Sequence, residues 1–186
     1  PDVAVDTLAY QYSVTPPRIT RPRHNVMVRM CTGGCSSHAI DECERNGGTK
    51  SCIEGWAKIC NRMHVWDYVT NFRQYLAPFP NFNVLAPNIK TFIDHNVIGI
   101  YEEGQYQSTG GSFADLRTWV LNKLLWNPEQ DTMALVDDFI GGYYGAAAPY
   151  VKKYFNLCHK QLKDDMVLDI YYVENHPIFS EEFLKR

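Results

Sequence analysis

HVWDYVTNFRQYLAPFPNFNVLAPNIKTFIDHNVIGIY, residues 64–101, carries the pattern that decides the fold class. His64–Phe72 is crowded with aromatic and β-branched side chains, the composition of a strand. Ala77–Asn83, APFPNFN, is a proline-punctuated loop. Val84–Asn96 places Leu85, Ile89, Phe92 and Ile93 on one helical face, with Asn96 as terminator. Val97–Tyr101, VIGIY, is short and continuously apolar, as in a parallel strand covered on both faces. Strand, helix and strand in this order make a parallel crossover unit, so the class is α/β.

The same alternation extends outward. Val3–Tyr12 reads as a strand that opens already at Asp2, and Asn25–Met30 reads as a second. Between them, Pro16, Pro17 and Pro22 demand an extended loop. Cys31–Ser51 is rich in Gly, Ser and Cys without periodicity, a long loop of the kind that is usually functional. Cys52–Met63 spaces Ile53, Trp56, Ile59, Cys60 and Met63 at helical intervals. Downstream of the polar loop Glu102–Gly111, Ser112 is predicted to cap a helix with Asp115 as its capping-box partner. Asn127-Pro128 stops that helix, Asp131 caps the next, Gly145 ends it, and Pro149 opens the last.

Polar residues gather at the C-terminal ends of the strands: Arg29 on the second, Asp67 and Asn71 on the third, Glu102 and Glu103 on the fourth. A (β/α)8 barrel builds its active site at that end of its strands. Such a barrel takes about 250 residues, so four strands amount to half of one. A strand at the start with no preamble predicts that the chain begins mid-domain.

Composition excludes several classes. Hydrophobic residues make up 45% of 186 and charged residues 21%, so the chain is globular rather than disordered. With 18 Lys+Arg against 21 Asp+Glu, there is no basic footprint for nucleic acid or an anionic membrane. No apolar run reaches the roughly 18 residues of a membrane span. No G-x-G-x-x-G follows the first strand and no Walker A motif occurs, which weakens nucleotide binding. No cofactor is expected. The six cysteines suit disulfides or free thiols in a loop, or inert buried positions. Cys31, Cys35, His38 and Cys43 also form a set zinc could use, but their spacing is not a standard knuckle and no metal is assigned. The location is unknown, with secreted and periplasmic sites both open.

Three stretches carry a resemblance: HVWDYVTNFRQYLAPFPNFNVLAPNI (His64–Ile89), GIYEEGQYQSTGGSFADLRTWVLNKLLWNP (Gly99–Pro128) and DDFIGGYYGAAAPYVKKY (Asp137–Tyr154). Together they resemble an uncharacterised family of glycoside-hydrolase-like domains of unknown function from carbohydrate-degrading bacteria. That family is distantly similar to α-glucuronidases and β-hexosaminidases. The resemblance spans residues 1–165 and implies the C-terminal half of a TIM-like (β/α)8 barrel followed by α-helices. The expected organisation is a half-barrel over 1–128, a helical extension over 129–165 and a partial C-terminal segment over 166–186. The partners it implies are a carbohydrate ligand and the N-terminal half of the barrel in the parent chain. Family members more often read Glu-Gln where this chain reads Glu102-Glu103.

Glycoside hydrolysis uses two carboxyl groups, one acid and one nucleophile or base. Asp67 and Glu102 are the first candidates, with Glu103 as a third. Alternation along a strand sends Glu102 and Glu103 to opposite faces, but the rule weakens at a strand end and both stay open. Arg29 either grips a sugar carboxylate or neutralises Asp67. Tyr68, Asn71, Gln105 and Tyr106 are candidates for sugar contact, whereas Trp66 reads as barrel filling. The blander alternatives are structural hydrogen bonding by Asp67, and helix capping or pairing with Arg29 by Glu102. A carbohydrate-binding or scaffold domain with a degenerate barrel is the competing function.

Overall fold

The computed structural model describes residues 3–185; Pro1, Asp2 and Arg186 lie outside the described residues, and with them the predicted strand opening at Asp2. Strands β1 (Val5–Ala9), β2 (Val26–Cys31), β3 (Met63–Tyr68) and β4 (Val97–Glu103) form one parallel sheet in the order β1-β2-β3-β4. Helix α1 (Gly47–Ala57) crosses from β2 to β3, and α2 (Phe82–Asp94) from β3 to β4. Helices α3 (Ala114–Trp126), α4 (Thr132–Tyr144), α5 (Ala148–Gln161) and the short α6 (Glu181–Leu184) follow. The class is mixed α/β, as the alternating pattern predicts. Among the described residues no helix is long and apolar enough to cross a membrane.

Strand alternation divides the sheet into two unlike faces. On one, Ala9, Val28, Met30, Met63 and Val65 are buried against Ile53 and Trp56 of α1 and Phe92 of α2. Both crossover helices therefore cover the same side. The core continues through Leu85 and Ile89 of α2 to Leu116 and Val120 of α3, Ile140 of α4 and Phe155 of α5. Each such side chain contributes roughly 1.5–3 kcal/mol by leaving water. The other face carries Asp6, Leu8, Arg29, His64, Trp66, Tyr101 and Glu103, and stays half open: Leu8 is 48% exposed and Tyr101 49%. There the imidazole of His64 lies across Gly99. A Cβ at position 99 would sit 2.6 Å from His64 Cε1, so only glycine allows the contact.

Several boundaries differ from the sequence expectation. The first strand ends at Ala9 rather than Tyr12, because Gln11 takes φ 49° and starts a 3-10 turn over Gln11–Ser13. Helix α1 begins at Gly47, inside the predicted loop Cys31–Ser51, continuing a 3-10 turn over Glu44–Asn46. The third strand stops at Tyr68, not Phe72, because Asn71 Oδ1 accepts the Arg73 and Gln74 N–H groups and turns the chain. The fourth runs on to Glu103. The Ser112/Asp115 capping box does not form. Phe113 caps α3 in the left-handed region at φ 53°, and the Ser112 carbonyl accepts instead from Arg117 Nη2 at 3.3 Å. Ile93 is exposed rather than on the buried stripe of α2. Asp131 does cap α4, accepting from Met133 N at 2.8 Å and Ala134 N at 3.1 Å, and Gly145 closes it.

Past α5 the chain turns back over the C-terminal ends of the strands. Ser36 N donates to Leu168 O at 2.7 Å, Phe72 N to Ile170 O at 2.8 Å, and Asn71 Nδ2 to Tyr172 O at 2.9 Å. Leu168, Tyr172 and Ile178 pack with Phe79 as a separate small core, where the Phe79 and Tyr172 rings stack at 6.1 Å. The segment thus straps the loop after β2 to the loop after β3.

Candidate active site

Beneath this strap lies a cavity of about 220 Å³, lined among others by Thr32, Asp67, Asn81, Asn88, Asp169 and Tyr171. Parallel pairing places Asp67 directly beside Glu102. Both belong to the helix-covered face, since Asp67 shares the parity of Met63 and Val65. The two carboxyl groups do not have equal surroundings. Asp67 Oδ1 accepts the Thr32 hydroxyl, and its carboxylate also accepts the Tyr68 N–H. Burial raises the Asp67 pKa, and these two donors pull against that rise. Glu102 Oε2 is buried with no hydrogen-bond partner among the described residues. Burial, and after it the charge of Asp67, push the Glu102 pKa well above its ordinary value. Desolvation and the Asp67 charge favour the protonated form of Glu102, while the Thr32 and Tyr68 donors favour the charged form of Asp67.

Glu103 faces the other way. Its Oε2 accepts the Trp66 indole N–H at 2.6 Å, and the Trp66 ring meets Tyr101 edge-on at 4.7 Å. Arg29 sits on this open face too, paired with Asp6 at 2.5 Å. It neutralises neither Asp67 nor Glu102, because the sheet lies between them. Burial, followed by the neighbouring Cys31 thiol, pushes the Tyr68 phenol upward.

The aromatic candidates form a chain of rings. Tyr68 meets Phe72 at 5.7 Å, and Phe72 meets Tyr106 and Tyr171 at 6.2 Å each. Tyr68 and Tyr171 both line the cavity, so this cluster borders it, with Tyr106 at its exposed end. Gln105 packs over Gly111 in the same loop region. Asn71 is fully buried, its amide committed to the turn and to Tyr172. The structure brings Asp67 to Glu102 on the covered face and links Tyr68 to Tyr106 through Phe72, while Arg29, Tyr68 and Glu103 share the parity of the opposite face.

Residues 1–156 match the family described as Domain of unknown function (DUF4838). The chain belongs to the DUF4838 family. No curated protein and no solved structure matches it. The DUF4838 match takes in all four strands and helices α1 to α4, whereas Asp169 and Tyr171 of the cavity wall lie beyond it.

Within the DUF4838 region the residue that sequence reasoning passes over is Arg117. It is buried in α3, with Nη1 donating to Asn81 Oδ1 and Nη2 to Phe79 O at 3.0 Å. Its guanidinium lies 4.5 Å from the centre of the Phe82 ring. Desolvation lowers its pKa to about 9. Arg117 thereby fixes the cavity-lining amide of Asn81. The signal was its position: four residues after Phe113 and three before Val120, it falls on the apolar stripe, where a charged side chain needs dedicated acceptors. Thr32, Asn88 and Asp169 carried no signal, because long-range folding alone assembles that wall.

Proposed function

We propose that this DUF4838 chain is the C-terminal half of a (β/α)8-type barrel in a glycoside-hydrolase-like domain that acts on a polysaccharide or oligosaccharide. The carrying observation is the unequal carboxyl pair at adjacent strand ends, where Glu102 is buried without a donor and pushed toward its protonated form while Asp67 accepts from Thr32 and Tyr68. Hydrolysis of a glycosidic bond needs that division between an acid and a nucleophile or base. Glu102 would protonate the leaving oxygen, and Asp67 would stabilise or attack the sugar carbon from the cavity side. Neighbouring strands run about 4.8 Å apart, which suits the shorter carboxyl separation of a retaining enzyme. The half-barrel reading draws support from the sequential strand order and from crossover helices confined to one face, which makes the open face the barrel interior and sets the Asp67–Glu102 pair on the helix side of the strand ends. The aromatic rim from Tyr68 to Tyr106 supplies ring faces for sugar.

Replacing Glu102 by Gln in the full-length protein should lower sugar release about 10²–10⁴-fold, read by reducing-sugar assay on a polysaccharide panel. Undiminished release would remove Glu102 from the mechanism. A second reading, carbohydrate binding without catalysis, is favoured by one fact: Glu102 Oε2 is closed off from solvent. Under that reading the panel yields retention on immobilised glycan but no release, and Tyr106→Ala weakens retention.

A further inference from the structure

Away from the carboxyl pair, the loop after β2 holds a second chemical cluster. The ligand atoms of Cys35, His38 and Cys43 all lie within 4.8 Å of one another. Cys35 Sγ is 3.2 Å from His38 Nδ1. In tetrahedral zinc, bonds of about 2.3 Å to sulfur and about 2.0–2.1 Å to nitrogen hold ligand atoms about 3.5–3.8 Å apart.

The surrounding loop is constructed to hold these side chains. Asn46 is buried, and its amide ties the loop at three points: Oδ1 accepts Cys35 N at 2.7 Å, while Nδ2 donates to Cys35 O at 3.0 Å and His38 O at 3.2 Å. Gly34 at φ +100° makes this possible, since a Cβ there would fall 2.5 Å from Asn46 Oδ1. Between the ligands, Ser37 Oγ donates to Met166 O at 3.0 Å and accepts Leu168 N at 3.2 Å, anchoring the cluster to the strap.

We propose that Cys35, His38 and Cys43 bind one zinc ion, with water as the fourth ligand. Binding releases both thiol protons to solvent and uses the neutral imidazole lone pair. The metal clamps the loop whose Gly33, Gly34, Cys35 and Ser36 wall the cavity, and so sets the cavity's shape. This inference stands independently of the hydrolytic reading.

The test is anaerobic titration of the reduced, metal-free chain with Co²⁺. The expected result is a thiolate-to-cobalt charge-transfer band with tetrahedral visible bands, saturating at one ion per chain and displaced by Zn²⁺. Cys35→Ser, Cys43→Ser and His38→Ala should each lose or reshape the bands, and Cys52→Ser should leave them intact. Hydrogen exchange on the wild-type chain keeps the test decisive if a variant fails to fold: zinc should slow exchange across residues 32–46. Absence of the charge-transfer band in folded wild-type protein would overturn the site. So would a Cys35–Cys43 disulfide as the purified resting state, found by peptide mass.

Discussion

The two faces of one sheet place neighbouring residues in opposite chemical situations. Glu102 and Glu103 are adjacent in sequence, yet Glu102 turns toward the helices and Glu103 toward the open side. Behind the sheet, Glu102 has no donor and shares its compartment with Asp67. In front, Glu103 is held by an indole N–H, and the same face carries an Arg29–Asp6 pair that water can reach. A carboxyl group's identity therefore says little about its role here, and the side of the sheet says much. The covered face can keep a carboxylic acid protonated, whereas the open face offers rings and charges to something flat or polar.

The strongest way to break this contrast is through the support of the covered face. Arg117→Ala leaves Asn81 and the Phe79 carbonyl without their donor inside the core, and should destabilise the chain by about 3–5 kcal/mol in urea unfolding. A loss under about 1 kcal/mol would mean that the guanidinium does not organise the cavity wall. On the open face, Gly99→Ala drives a methyl group into the His64 ring and should cost about 1–3 kcal/mol, with His64→Ala recovering part of it. Additive losses in the double variant would show that the contact is absent.

The carboxyl pair makes a pH prediction. Folding holds a proton that the unfolded chain releases, in the window between the ordinary carboxyl pKa and the raised one. Stability should therefore be highest below that window and fall as pH rises through it, by at most about 1.4 kcal/mol per pH unit for one proton. Glu102→Gln should flatten the fall and Glu103→Gln should not; equal slopes in both variants would erase the distinction between faces. The smallest effect belongs to Asp6→Asn. Its ion pair with Arg29 is partly exposed, so the loss should stay below about 1 kcal/mol and shrink further in salt.

Much of the fold was legible because local patterns and tertiary packing agree. VIGIY and HVWDY read as strands, and they are strands; Leu85, Ile89 and Phe92 read as one face, and that face is buried. Alternation also separated Glu102 from Glu103 correctly, since period two is a property of the extended backbone. Some errors were local, as at Gln11 and at the Phe113 cap of α3, but the third strand ended early at the Asn71 turn, which the distant strap holds through Tyr172.

Residue order and periodicity were enough to establish parallel α/β alternation, the positions of the acidic strand ends and the separation of neighbouring side chains, because these depend on short-range geometry. Which acid is dry, which carboxylate Arg29 meets, and which loops wall the cavity were settled by long-range assembly. The strap meets Ser36 and Phe72 from more than ninety residues away, a separation at which no local propensity registers a contact. Desolvation acts on a carboxyl group only after such contacts have closed, so the unequal surroundings of Asp67 and Glu102 belong to the folded chain alone.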